Sequence, residues 1–163
     1  MTPTHPCPLC EAAQCAAGGG HASWLASLDE CHVLLGENQG CRGWCVLVLK
    51  EHVEHLDALP GERQARIVAE VARVARAIRR VFPASGAGGG PPRINYECLG
   101  NLVPHVHWHV IPRHADDPTP TRAVWGWDPR QLRGRLGAGQ RAEMIDRLRR
   151  ALQQNTPAGG GRS

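Results

Sequence analysis

The sequence predicts an α+β fold: an antiparallel β-sheet of about five strands, one long helix and a second helix toward the C-terminus. Short apolar runs of strand length gather in 23–49 and again in 93–111. Between them, residues 60–82 carry a helical rather than a two-residue period. The strands come in groups around that helix instead of alternating with helices one by one, which is the order of an antiparallel sheet.

At 163 residues the chain can bury one core. The expected organisation is a single domain over 1–155, with an N-terminal metal-knuckle segment at 1–22 and a disordered tail at 156–163. No internal repeat is visible. The net charge is +4, and Lys50 is the only lysine among the 19 basic residues. The arginines are scattered and few aromatics interleave with them, which argues against a nucleic-acid-binding surface. No apolar run approaches a membrane span and no secretory leader is read. Seven cysteines, an odd number without secretory context, predict reduced thiols or metal ligands in the cytoplasm.

In chain order, residues 1–22 are small, polar and turn-prone, and read as a Pro-rich loop carrying Cys7-Pro8-Leu9-Cys10. A redox C-x-x-C would follow a strand and open a helix in a βαβ unit. In a loop the pair reads better as half of a metal site, needing two further ligands. His5, Cys15 and His21 lie close by in sequence. Residues 23–35 predict two short strands around an Asp29-Glu30 turn, and 36–43 a loop. The continuous apolar run at 43–49 predicts a central strand, with His52 and His55 just beyond its end.

In the long helix, Ile67, Val71, Val74, Ile78 and Val81 recur at spacings of four and three. The arginines on its other faces (Arg63, Arg66, Arg73, Arg80) read as a solvated surface. Pro83 stops the helix, and the Gly-rich 84–92 is a flexible loop. Arg93–Cys98 is a strand. An acidic, Pro-rich loop follows Arg113, and Gln140–Leu152 is a second amphipathic helix through Met144, Ile145, Leu148 and Leu152.

The most informative stretch is Leu99–Arg113, centred on His105-Val106-His107-Trp108-His109-Val110-Ile111. Strict alternation predicts a strand with three histidines on one face. Buried imidazoles each need a partner. Neighbouring ones stand roughly 6.6 Å apart and the outer pair roughly 13 Å. Zinc holds imidazole nitrogen at about 2.0–2.1 Å, so the three cannot share one ion and must divide into roles.

This run resembles the signature of the histidine triad (HIT) family of nucleotide hydrolases and transferases. The segment GNLVPHVHWHVIPR is similar to bacterial members of the diadenosine-polyphosphate hydrolase type, and the order of elements can be followed over roughly residues 7–127. The resemblance implies a HIT-like fold. It also implies cleavage at an α-phosphate through a covalent nucleotide on the middle histidine, His107, with His109 binding phosphate oxygens and stabilising developing charge. In zinc-containing bacterial members the first triad histidine turns to a structural zinc, which here implies Cys7, Cys10, His52 and His105. His55 competes with His52, and Cys15 with either thiol.

Further contacts are implied by the same resemblance. Asn101 and Asn95 would reach phosphate, and Glu37 or Asn38 the ribose hydroxyls. Trp125 and Trp127 could line the cleft or could be core or dimer contacts. A homodimer pairing through the long helix and a sheet edge is implied, and the 67–81 stripe permits it. The substrate expected is a dinucleoside polyphosphate such as diadenosine tetraphosphate, or a nucleoside phosphoramidate. A zinc-stabilised nucleotide-binding module with negligible turnover is the rival reading, against which the intact triad argues.

Overall fold

The computed structural model describes residues 7–84 and 89–154. The tail expected at 156–163, His5 and part of the Gly-rich loop lie outside the described residues. The strands are β1 (Trp24–Ser27), β2 (Cys31–Leu35), β3 (Cys45–Leu49), β4 (Arg93–Glu97) and β5 (His107–Arg113). They form one antiparallel sheet in the order β1-β2-β3-β5-β4, with the apolar β3 at its centre. No helix among the described residues is long and apolar enough to cross a membrane.

One face of the sheet carries the main core. Val33, Leu47 and Val110 pack there against α2 (Gly61–Val81) and α4 (Ala138–Gln153). The stripe Ile67, Val71, Val74, Ile78 and Val81 is buried in this layer with Leu148 and Leu152. Each such side chain contributes roughly 1.5–3 kcal/mol on burial. The stripe is therefore spent on the chain's own sheet and α4, and not held open for a second copy as the sequence permitted.

The arginines of α2 are not uniformly a solvated face. Glu30, in the β1–β2 turn, is buried and accepts from Arg63 Nη2 at 2.6 Å and Arg66 Nε at 2.8 Å. Buried Glu70 accepts from the backbone N–H of Glu30 at 2.8 Å and of Cys31 at 3.0 Å. Arg73 donates to Leu152 O at 3.0 Å, tying α2 to α4. The turn between β1 and β2 is thus pinned onto α2 by charge-assisted bonds.

The second face is covered at two ends. Residues 8–17, expected as loop, form helix α1 (Pro8–Ala17). Cys7 is its N-cap and Pro8 sits in its first turn, where the missing N–H costs nothing. The Ala-rich run favours helix, and it ends at Gly18, whose N–H returns to Gln14 O at 3.2 Å. Ala13 and Ala16 pack on Leu34 and Val48. At the other end a 3₁₀ turn (Val124–Gly126) and a short helix α3 (Pro129–Arg133), absent from the sequence reading, bring Val124 and Trp127 onto Trp44 and Ile111.

Candidate functional site

The strand register fixes which side chains share this second face. His107 pairs with Val48 and His109 with Val46, while Asn95 and Glu97 of β4 stand opposite Ile111 and His109. Directly paired residues point the same way. The site therefore runs along β5 from the α1 side toward the tryptophans.

His105 departs from the expected alternation. β5 begins at His107, and His105 lies in the bend before it. The backbone there is held by Val106 N–H to Val53 O at 2.7 Å and His105 N–H to Val103 O at 2.9 Å. Released from the strand, the buried His105 ring turns to α1. Its Nδ1 lies 3.5 Å from both Cys7 Sγ and Cys10 Sγ, and Cys10 Sγ lies 3.3 Å from His52 Nδ1. The ligand atoms of Cys7, Cys10, His52 and His105 all fall within 4.8 Å of one another.

A tetrahedral ion with Zn–S of about 2.3 Å and Zn–N of about 2.0–2.1 Å needs S···N edges of about 3.6 Å, close to the distances found. The tautomer fits as well. His105 Nε2–H donates to Leu49 O at 2.9 Å, leaving Nδ1 with its lone pair toward the thiols. Glu54 Oε1 stands 3.8 Å from the outer nitrogen of His52. Such outer partners orient imidazole ligands. The four residues form a cluster able to hold a metal ion; His55 and the exposed Cys15 are outside it.

His107 is the next ring along. Its Nδ1–H donates to His105 O at 2.7 Å. A neutral imidazole bonded in this way keeps its lone pair on Nε2. The residue that turns to the metal cluster thus also supplies the carbonyl that orients His107. His109 sits 5.1 Å away, ring centroid to ring centroid, nearly perpendicular. Burial pushes the His109 imidazole down to about 4, with His107 adding to the effect.

Two tryptophans complete this ring of contacts: Trp44, which the sequence reading missed, and Trp125, which it named as a cleft, core or dimer residue. Trp44 is buried and donates its indole N–H to His109 Nδ1 at 3.2 Å. Trp125, half-exposed, packs edge-on against His109 at 5.2 Å and Trp44 at 5.4 Å, and its indole N–H donates to Glu97. Trp44 is delivered by a stapled loop. The buried Gln39 amide donates to Gly36 O and Trp44 O and accepts from Gly43 N–H, all within 3.0 Å. Gly43 adopts φ +88° with the Phe82 ring against it, which a side chain would not allow. A buried indole usually finds an acceptor, and that was the available signal.

The remaining expected contacts are dispersed. Asn95 lines a cavity of about 490 Å³ with Arg93, Arg113 and His114. Asn101 is exposed in the turn before His105. Glu37 is exposed and Asn38 partly so; Glu37 lines a separate cavity with Gln39, Arg133 and Arg141. Neither cavity is lined by His107 or His109. Trp127 is a core residue, donating to Thr119 and lying under the Arg113 guanidinium at 5.7 Å.

Comparison with known proteins gives the same picture. No curated protein matches the sequence. Among solved structures, a histidine triad protein from Marinobacter aquaeolei is 27% identical, with a TM-score of 0.66 over 82% of this chain and 91% of that one. A zinc-bound histidine triad family protein from Mycobacterium smegmatis is 26% identical, with a TM-score of 0.60 over 89% of this chain and 94% of that one. A histidine triad protein from Sinorhizobium meliloti, 23% identical, shares the fold with a TM-score of 0.66 over 78% of this chain and 87% of that one. The HIT domain model matches residues 21–116, which span all five strands and α2, and on that match the chain belongs to the HIT domain family.

Proposed function

We propose that this chain is a nucleotidyl hydrolase or transferase acting at the α-phosphate of a dinucleoside polyphosphate, of the diadenosine tetraphosphate kind, or of a nucleoside phosphoramidate. The observation that carries the reading is the 2.7 Å bond from His107 Nδ1–H to His105 O, which leaves Nε2 as the nucleophilic nitrogen. In the proposed reaction Nε2 forms a bond to the α-phosphorus. The P–O or P–N bond to the leaving group breaks, and its electron pair departs with that group. Water then cleaves the N–P bond, releasing a nucleoside monophosphate and restoring His107. His109 offers a hydrogen bond to a phosphoryl oxygen, where charge builds up in the transition state. Asn101 and Asn95 are proposed phosphate contacts, and Glu37 or Asn38 the acceptor for ribose hydroxyls.

Zinc is the metal proposed for the four-ligand cluster, supported by its Cys₂His₂ donor set and the fit to tetrahedral edges. Bound there it would be a closed, structural ion. Cys7, Cys10, His52 and His105 would hold α1 to the catalytic strand. The protein is proposed to be cytoplasmic and to form a homodimer across the edge strand β4, whose Tyr96 is half-exposed.

The test is release of AMP from diadenosine tetraphosphate by wild type and His107→Ala. The variant is expected to lose roughly 10⁴-fold or more in turnover while keeping its fold and zinc content. Activity equal to wild type would end the nucleophile assignment. Nucleotide binding without turnover in wild type would favour the binding-module reading.

A further inference from the structure

His107 and His109 face the same way from one strand, yet their hydrogen bonds impose opposite chemistry. In His107 the inner nitrogen donates, to a carbonyl. In His109 the inner nitrogen accepts, from an indole. An indole N–H is a donor only and a carbonyl an acceptor only, so neither bond can be reversed. We propose that Trp44 is a positioning residue that locks His109 as the neutral tautomer with its proton on Nε2, making it the donor beside the acceptor His107.

The surroundings agree. Trp44 is 1% exposed and cannot trade His109 for water. Its approach is fixed by the Gln39 staple on the loop before β3. The charged group facing His109 across the register is Glu97, which would favour an imidazolium, but its carboxylate is engaged by the Trp125 indole. Among the described residues the only other titratable ring against it is His107, which disfavours a second positive charge. A charged His109 would need a proton on Nδ1, which would meet the Trp44 N–H head-on.

The lock has a chemical consequence, which rests on the nucleotidyl-transfer reading above. A neutral Nε2–H can hydrogen-bond a phosphoryl oxygen but is a very poor acid. A leaving phosphate departs as a stable anion and needs no proton. A leaving amine departs as a strong base and does need one. Without a positioned acid, the amine forfeits roughly the 10²–10⁴-fold that general acid catalysis contributes. Trp44 thereby biases the site toward phosphate leaving groups.

Two measurements on the full chain test this. First, ¹⁵N NMR of histidine-labelled protein, with His109→Gln to assign the signal, reads the tautomer directly. At pH 7 wild type should carry the His109 proton on Nε2 with a bare Nδ1. Trp44→Phe should populate forms with a proton on Nδ1, the imidazolium that can protonate a leaving amine among them, a change that mere loss of packing would not produce. A wild-type His109 that is charged, or protonated on Nδ1, overturns the lock. Second, wild type should cleave diadenosine tetraphosphate at least about 100-fold faster than an adenosine phosphoramidate with an alkylamine leaving group. The ratio should fall about tenfold or more in Trp44→Phe. Equal or faster cleavage of the phosphoramidate by wild type overturns the consequence. If neither substrate is cleaved, the nucleotidyl-transfer reading fails and takes the leaving-group bias with it, while the NMR still decides the tautomer lock. Both wild-type arms stand if Trp44→Phe does not fold.

Discussion

Replacing Cys10 by alanine should uncouple α1 from the segment that leads into β5. Cys10 Sγ lies against both histidines of the metal cluster, at 3.3 Å from His52 Nδ1 and 3.5 Å from His105 Nδ1. Structural zinc in small Cys/His sites is worth about 10–16 kcal/mol, so one ligand in four corresponds to about 2.5–4 kcal/mol. That is a loss of about 10²–10³-fold in zinc affinity. With free zinc at about 1,000 times the wild-type Kd, binding stabilises the fold by about 4 kcal/mol, most of which the variant forgoes. For a chain of this size each kcal/mol moves Tm by about 2–4 °C, giving a drop of about 5–15 °C. Thermal unfolding with and without chelator reads it out: wild type should fall toward the variant on chelation, and the variant should barely respond. Hydrogen exchange should quicken first in α1, whose remaining hold is the packing of Ala13 and Ala16 on Leu34 and Val48. A variant with wild-type zinc affinity and an unchanged melting curve would refute the ligand assignment.

Other outcomes follow from the same contacts. Glu70→Ala strands the backbone N–H groups of Glu30 and Cys31 and should cost about 2–4 kcal/mol in urea unfolding, with Glu70→Gln recovering part of it. His109 should give the protein a weak acid flank. Its folded value of about 4 lies below the ordinary 6.5, so its share of stability is complete above about pH 6.5 and is lost as pH falls toward 4. That share is on the order of 2–3 kcal/mol after allowing for the ring's partial exposure, and His109→Gln should remove it from the pH–stability curve. Glu30, held below the usual carboxylate range by Arg63 and then Arg66 against the opposing effect of burial, adds stability above about pH 4.5 that disappears on further acidification. The Arg63→Ala curve should lose its stability at higher pH than wild type.

What the sequence made legible was whatever repeats along one element. The apolar run at 45–49 and the four-three spacing of α2 each needed only neighbours a few residues away. Residues 8–17 misled because Cys, Pro and Gly suggest a loop, although a proline in the first turn and an alanine-rich body are helix signals too. Alternation alone put His105 on the strand. It leaves the ladder because Val106 bonds back to Val53, a contact no local pattern contains. Arg63 and Arg66 find Glu30 more than thirty residues away, and Trp44 finds His109 sixty-five residues on. Such partners depend on sheet order. The C-x-x-C and the histidines at 52 and 105 could be joined only through the family resemblance, and the fold brings those four ligand atoms together.

The central claim is that His107 Nε2 becomes covalently bonded to a nucleotide. The most direct measurement is the intact mass of wild type and His107→Ala after brief mixing with diadenosine tetraphosphate and an alkaline quench. The account predicts an adduct of the mass of an adenylyl group on wild type and none on the variant. AMP formed by wild type with no adduct at any mixing time, or an adduct that persists in His107→Ala, would contradict it.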